Sequence, residues 1–93
     1  MKLYWPNMYI VKADGKINRY STYNACKNIT EASRCIQTWV ANACLGECPI
    51  ISWIDVTDYS TNEYSVERKV EYGAHYYNKK YDRDEVLNEQ ESI

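Results

Sequence analysis

The apolar residues between positions 32 and 43 fall on one stripe. Ala32, Cys35, Ile36, Trp39, Val40 and Ala43 recur at i, i+3, i+4, i+7, i+8 and i+11, the spacing of one helical face. Glu31, Ser33, Arg34, Gln37 and Thr38 lie on the other side. The pattern predicts an amphipathic helix over 30–45. Thr30 is the expected N-cap, and Glu31 stands where the helix dipole favours negative charge. Gly46 is placed to close the helix in a left-handed conformation, and Pro49 forbids its continuation.

Elsewhere the period is two. Met8-Tyr9-Ile10-Val11 is a β-prone run, and Lys16 to Tyr20 alternates apolar with polar residues. Asp14-Gly15 between them is a two-residue turn signal, which gives a hairpin over 8–21 with Pro6 just ahead of its first strand. In 50–58, Ile50, Ile51, Trp53, Ile54 and Val56 make both faces apolar, as a central strand requires. After a polar turn at 59–63, Tyr64, Val66, Val70 and Tyr72 are read as one apolar face, opposed by Ser65, Glu67, Lys69 and Glu71. Arg68 interrupts that face, which predicts an edge strand or a functional exposure.

The predicted order is β-β-α-β-β. The fold class is α+β: a four-stranded antiparallel sheet with one amphipathic helix packed on one face. Ile36, Trp39 and Val40 are expected to meet Ile10, Ile17, Ile54 and Val56. Residues 1–73 form the predicted domain, and 74–93 a Tyr/Lys segment followed by an acidic tail.

Composition sharpens this picture at three points. A chain of 93 residues has a small core, so each large side chain counts. Its aromatic residues are ten Tyr and three Trp with no Phe, and such side chains suit half-buried sheet faces and contact surfaces alike. Residues 1–81 hold ten Lys/Arg against eight Asp/Glu, and 82–93 hold one against five, for a net charge of −2. No broad basic excess is present, which argues against direct nucleic-acid binding. No apolar run approaches the ~20 residues that span a bilayer, and the N-terminal Met-Lys-Leu-Tyr-Trp-Pro-Asn lacks the pattern of a signal peptide. The expectation is a cytoplasmic protein away from membranes. Its Asn28-Ile29-Thr30 sequon is then unused and its four cysteines are thiols.

Chemistry is sparse. The cysteines stand at 26, 35, 44 and 48, and only Cys44 and Cys48 have a close, zinc-like spacing. A metal site on that pair, with His75 or Cys26 as a further ligand, is an alternative reading. On a continuous helix Cys35 and Cys44 would stand about 13.5 Å apart in rise and could share neither metal nor bridge. Cys35 itself reads as a small buried residue. His75 is the sole histidine, and no nucleophile motif surrounds any Ser or Cys. Asp55 and Asp58 read as strand-end and turn residues. The three glycines match no phosphate loop. The expectation is a protein without enzymatic activity or cofactor.

What remains is surface. His75-Tyr76-Tyr77-Asn78-Lys79-Lys80-Tyr81 mixes tyrosine with lysine and runs into acidic residues. Tyr is enriched at protein interfaces, and the adjacent acids compete with nucleic acid for the lysines. The expected contact residues are Tyr76, Tyr77, Tyr81, Asp82, Asp84 and Glu85.

The run Ile51-Ser52-Trp53-Ile54-Asp55-Val56-Thr57-Asp58 follows a hairpin and an amphipathic helix and precedes a polar turn and another strand. This layout over 30–72 resembles one recurrent in small accessory proteins of phages and mobile elements, anti-CRISPR proteins among them. The resemblance implies an inhibitor that binds a larger host-defence protein, such as a CRISPR effector, and blocks its nucleic-acid site. It transfers no functional residues. The remaining reading is a self-associating or small-ligand-binding module, with edge-to-edge pairing around Arg68 producing a homodimer.

Overall fold

A computed structural model describes residues 1–43 and 47–72, together with the backbone of two short strands at 75–76 and 79–80. The elements run β1 (Lys2–Val11), β2 (Ile17–Ser21), α1 (Ile29–Ala41), β3 (Cys48–Asp58), β4 (Glu63–Glu71), β5 (His75–Tyr76) and β6 (Lys79–Lys80). Four of the strands form one antiparallel sheet in the order β2-β1-β3-β4, with one helix, as the α+β reading predicts. β5 and β6 pair as a separate two-stranded sheet, in a stretch whose sequence shows no period.

β1 is longer than its sequence pattern. It pairs with β3 from Lys2↔Asp58 to Val11↔Cys48, so the strand runs through Pro6 instead of starting after it. Proline is tolerated here because of the direction its nitrogen faces. Tyr4 exchanges both backbone hydrogen bonds with Cys26 (3.1 and 2.7 Å) on the side of β1 away from β3. Pro6 points the same way, and β2 reaches only as far as Asn7, so no ladder bond requires the missing N–H.

The first hairpin turns through three residues, not two. Gly15 N–H donates to the Lys12 carbonyl and Lys12 N–H to the Lys16 carbonyl, both at 2.8 Å. Gly15 takes φ +84°, and Asp14 Oδ1 accepts the Lys16 N–H. A type I turn splays the strands, and the left-handed Gly15 brings them back into register.

The helix starts one residue before its expected cap and ends at Ala41. Asn28, not Thr30, is the N-cap: its Oδ1 accepts the Glu31 N–H at 2.8 Å, and the Glu31 carboxylate accepts the Lys27 N–H at 3.2 Å. At the other end Asn42 N–H closes on the Thr38 carbonyl. Cys44 and Gly46 fall outside the described residues. Asn28→Ala should cost about 1 kcal/mol of stability, while Thr30→Ala should stay within about 0.5 kcal/mol. Urea unfolding of the two variants side by side checks this; equal losses would contradict the cap assignment.

The sheet has an apolar cluster on each side. Toward the helix, Cys26, Ala32, Ile36, Ile54 and Val56 pack together, joined by Tyr4, Ile29, Cys35, Trp39 and Val40. On the opposite side, Tyr9, Val11, Ile50, Ile51 and Trp53 pack with Ile17, Cys48 and Val66. Ile54 and Val56 thus meet the helix as expected. Ile17 does not: it pairs with Val11 and shares the far face. Trp39 instead reaches β2 through Tyr20, with ring centroids 5.9 Å apart.

β3 is central and β4 is the edge, as read from sequence. The expected single apolar face of β4 is split, however. Ser52 pairs with Val70 and Ile54 with Glu67, so Arg68 and Lys69 together oppose Trp53 in a bulge. A bulge inverts the alternation beyond it. Val66 packs on the far face, while Val70 and Tyr72 come to the helix side, where Tyr72 and Ser52 share a 2.8 Å hydrogen bond.

Candidate functional site

The same bulge builds the most distinctive surface among the described residues. Arg68 has φ +49°, a conformation that favours glycine and is uncommon for a long side chain. In an unbroken strand Arg68 would alternate with Glu67 and point away from the helix. The bulge turns it back, and its guanidinium donates to Ser33 Oγ on α1 at 2.7 Å. The residue that interrupts the sequence pattern is therefore the residue that spans the gap between helix and edge strand.

Beneath it lies a groove of ≈ 200 Å³. α1 packs over β1 and β3, which leaves the inner side of β4 open. Ile54 and Ser52 form the floor, Ile36 and Gln37 the helical wall, and Val70 and Tyr72 the β4 wall. Val70 is 44% exposed, a large fraction for a valine on the helix side of a sheet. The volume is below the roughly 300–1,000 Å³ of cofactor and drug-sized sites. It offers an apolar floor, a hydroxyl pair and a cation at the rim, which suits one inserted side chain of a partner. A second hollow of ≈ 190 Å³ lies at the other end of the sheet, lined by Lys2, Tyr4, Asp58, Glu63, Tyr64 and Glu67 among others. There Asp58 accepts the Ser60 N–H, which holds its carboxyl below the ordinary value, and it also pairs with the Met1 amine.

The far face carries a polar network that sequence reasoning missed. Asp55 Oδ1 accepts from Trp53 Nε1 (3.0 Å) and from the Tyr64 hydroxyl (2.6 Å). Asp55 Oδ2 accepts from Asn7 Nδ2 at 3.0 Å, and Asn7 Oδ1 accepts from Arg19 at 2.7 Å. The Arg19 guanidinium lies 6.0 Å from the Trp53 ring centroid, and the Tyr9 ring stacks 5.6 Å from the same tryptophan. Asp55 is thus neither a strand end nor a turn residue. It pairs with Trp5 in β1 and Val66 in β4, near the middle of the sheet. The available signal was Trp53-x-Asp55, two residues that must share a strand face.

The expected contact residues are not brought together by anything described. Tyr76 lies in β5, where the backbone alone is described, and Tyr77, Tyr81, Asp82, Asp84 and Glu85 lie outside the described residues. The metal alternative loses one of its ligand sets. Cys48 packs on the far face of the sheet and Cys26 on the helix side, so the sheet separates them and they cannot share an ion with bonds of about 2.3 Å. Cys44 and the side chain of His75 fall outside the described residues, among which no three His, Cys, Asp or Glu side chains gather as a metal-binding group. Also among the described residues, no helix is long and apolar enough to cross a membrane.

β4 carries features that oppose strand addition. The bulge at Arg68 and Lys69 interrupts its edge, and Glu63, Glu67 and Glu71 charge it. No protein-family model, curated protein or solved structure matches the chain.

Proposed function

We propose that this chain is a non-catalytic binding protein that inhibits a larger, nucleic-acid-handling protein of host defence, in the manner of the small phage and mobile-element proteins its layout resembles. Arg68 carries the reading. A strained, non-glycine residue on an edge strand costs stability, and such strain is tolerated where the residue is used. Here the strain aims a guanidinium across an open apolar groove. Arg and Tyr are the side chains that anchor protein interfaces, and small pockets ringed by them take the partner's anchor in return. The groove supplies Arg68 and Tyr72 around an Ile54 and Val70 lining. The fitting partner feature is an acidic or amide side chain with an apolar stem.

The test separates binding from folding. Purified CRISPR effector ribonucleoproteins are mixed with equimolar chain, and binding of target DNA is measured. One effector should lose target binding. Arg68→Gly relieves the left-handed strain, worth about 1–2 kcal/mol, while losing one hydrogen bond of about 1 kcal/mol. Its stability should therefore stay near that of the parent, yet its affinity for the effector should fall at least roughly tenfold, the effect of losing one interface anchor. Unchanged inhibition by Arg68→Gly, or a panel in which no effector responds, overturns the proposal.

A further inference from the structure

The face of the sheet opposite α1 is more deeply buried than its described neighbours explain. The helix lies on the other side, with Ala32 and Ile36 against Ile54 and Val56. Yet on the far face Val11 and Ile51 are fully buried, and Tyr9 and Trp53 are each 5% exposed. Among the described residues, the partly buried hydrophobic side chains packed against this cluster are Ile17 of β2, Cys48 of β3 and Val66 of β4, all in strands of the same sheet. Side chains stand roughly perpendicular to a sheet, so neighbours within it shield their flanks and do not cap their outer ends.

The burial is also graded. It is complete at the Val11 and Ile50 end of the face, while Trp5, Asp55 and Thr57 farther along are half-buried and Tyr64 is exposed. The covered end is the one beside which the chain leaves the sheet: Tyr72 N–H donates to the Ile50 carbonyl at 2.9 Å.

We propose that residues 74–93 fold back over this face and close it as a second core, with the tyrosines of 76–81 laid against Tyr9 and Trp53. The reach is short. Trp53 stands about 10 Å from Ile50 along β3, and Tyr9, paired with Ile51, is about 5 Å away on the next strand. An extended chain covers about 3.4 Å per residue, so 74–93 spans this distance several times over. Residues 44–46 cannot serve instead. They join Ala43 to Glu47, and Trp53 lies about 20 Å beyond Glu47 along β3, whereas three residues reach about 10 Å.

The chemistry of the two surfaces matches. Tyr76, Tyr77, Tyr81, Val86 and Leu87 supply apolar area for the cover, and aromatic rings pack well on the Tyr9–Trp53 pair. The buried donors Trp53 Nε1 and Asn7 Nδ2 are already held by Asp55, so an apolar cover strands neither of them. The tyrosine-rich stretch is thereby spent inside the chain. The Arg68 groove lies on the other side of the sheet, so this inference and the inhibitor reading stand or fall separately.

The test is nuclear magnetic resonance on the isotope-labelled full chain. Nuclear Overhauser contacts should join the Trp53 and Tyr9 rings to side chains of 74–93. A soluble gadolinium chelate should leave the Trp53 ring signals near full intensity while it broadens those of the exposed Tyr23 and Tyr59. Tyr76→Ala, Tyr77→Ala and Tyr81→Ala combined in the full chain should abolish that protection of Trp53; if the variant fails to fold, the wild-type contacts still decide. A mixture of labelled and unlabelled chain separates contacts within one molecule from contacts between two. Contacts made only between molecules overturn the proposal. So do contacts to 44–46 in place of 74–93, or Trp53 signals broadened as strongly as those of Tyr23.

Discussion

Ile54→Ala should destabilise the chain by about 3–4 kcal/mol, within the range for deleting a buried isoleucine side chain. Ile54 is fully buried at the middle of the central strand, paired with Pro6 of β1 and Glu67 of β4. It packs with Cys26, Ala32, Ile36 and Val56, where α1 meets the sheet. The loss has two parts: the transfer free energy of the removed methyl and methylene groups, and the cavity that a rigid sheet cannot collapse to fill. A small domain has only about 0.05–0.15 kcal/mol of stability per residue, so one such substitution removes a large share of the total. Urea unfolding measures it. The midpoint should fall with an unchanged slope, and Ile54→Val should cost only about 0.5–1.5 kcal/mol. A loss below about 1.5 kcal/mol for the alanine variant would mean that the helix does not seal this part of the sheet.

Asp55→Ala should cost about 2–4 kcal/mol, through loss of hydrogen bonds and not through lost packing. Its carboxylate accepts from Trp53, Tyr64 and Asn7. Trp53 is 5% exposed and Asn7 2%, so truncation leaves their donors short of partners in places water reaches poorly. Tyr64 is 64% exposed and can turn to solvent, which limits its share. Asp55→Asn sharpens the test. Arg19 fixes Asn7 with its oxygen toward β2 and its amide nitrogen toward Asp55. A new amide at position 55 can keep Trp53 and Tyr64 on its oxygen, but it then turns N–H against N–H toward Asn7. Asp55→Asn should therefore cost about half as much as Asp55→Ala. Equal stability of Asp55→Asn and the parent chain would show that the third hydrogen bond contributes nothing.

Features encoded by local period were legible in the amino-acid order. The stripe from Ala32 to Val40 has a single solution as a helix. The alternation in Lys16–Tyr20 and the two-sided apolar run 50–56 have theirs as an outer and a central strand. One helix with one apolar face then needs one sheet to cover it, and the α+β class follows. Arg68 was visible as an anomaly, because a cation in an apolar alternation breaks the period whatever the fold.

The rest was decided by tertiary contacts. Pro6 could enter β1 because β2 stops at Asn7, a fact about a neighbouring strand and not about residues 1–11. Ile17 changed faces because its register with Val11 is set by the three-residue turn. The β4 bulge moved Val70 and Tyr72 to the other side of the sheet from Val66, turned Arg68 onto Ser33, and opened the groove. Asp55 gathered donors from three strands. A period in sequence specifies which face of an element is apolar. It does not specify register, bulges or the docking of one element on another, because those depend on pairing energies between residues far apart in the chain.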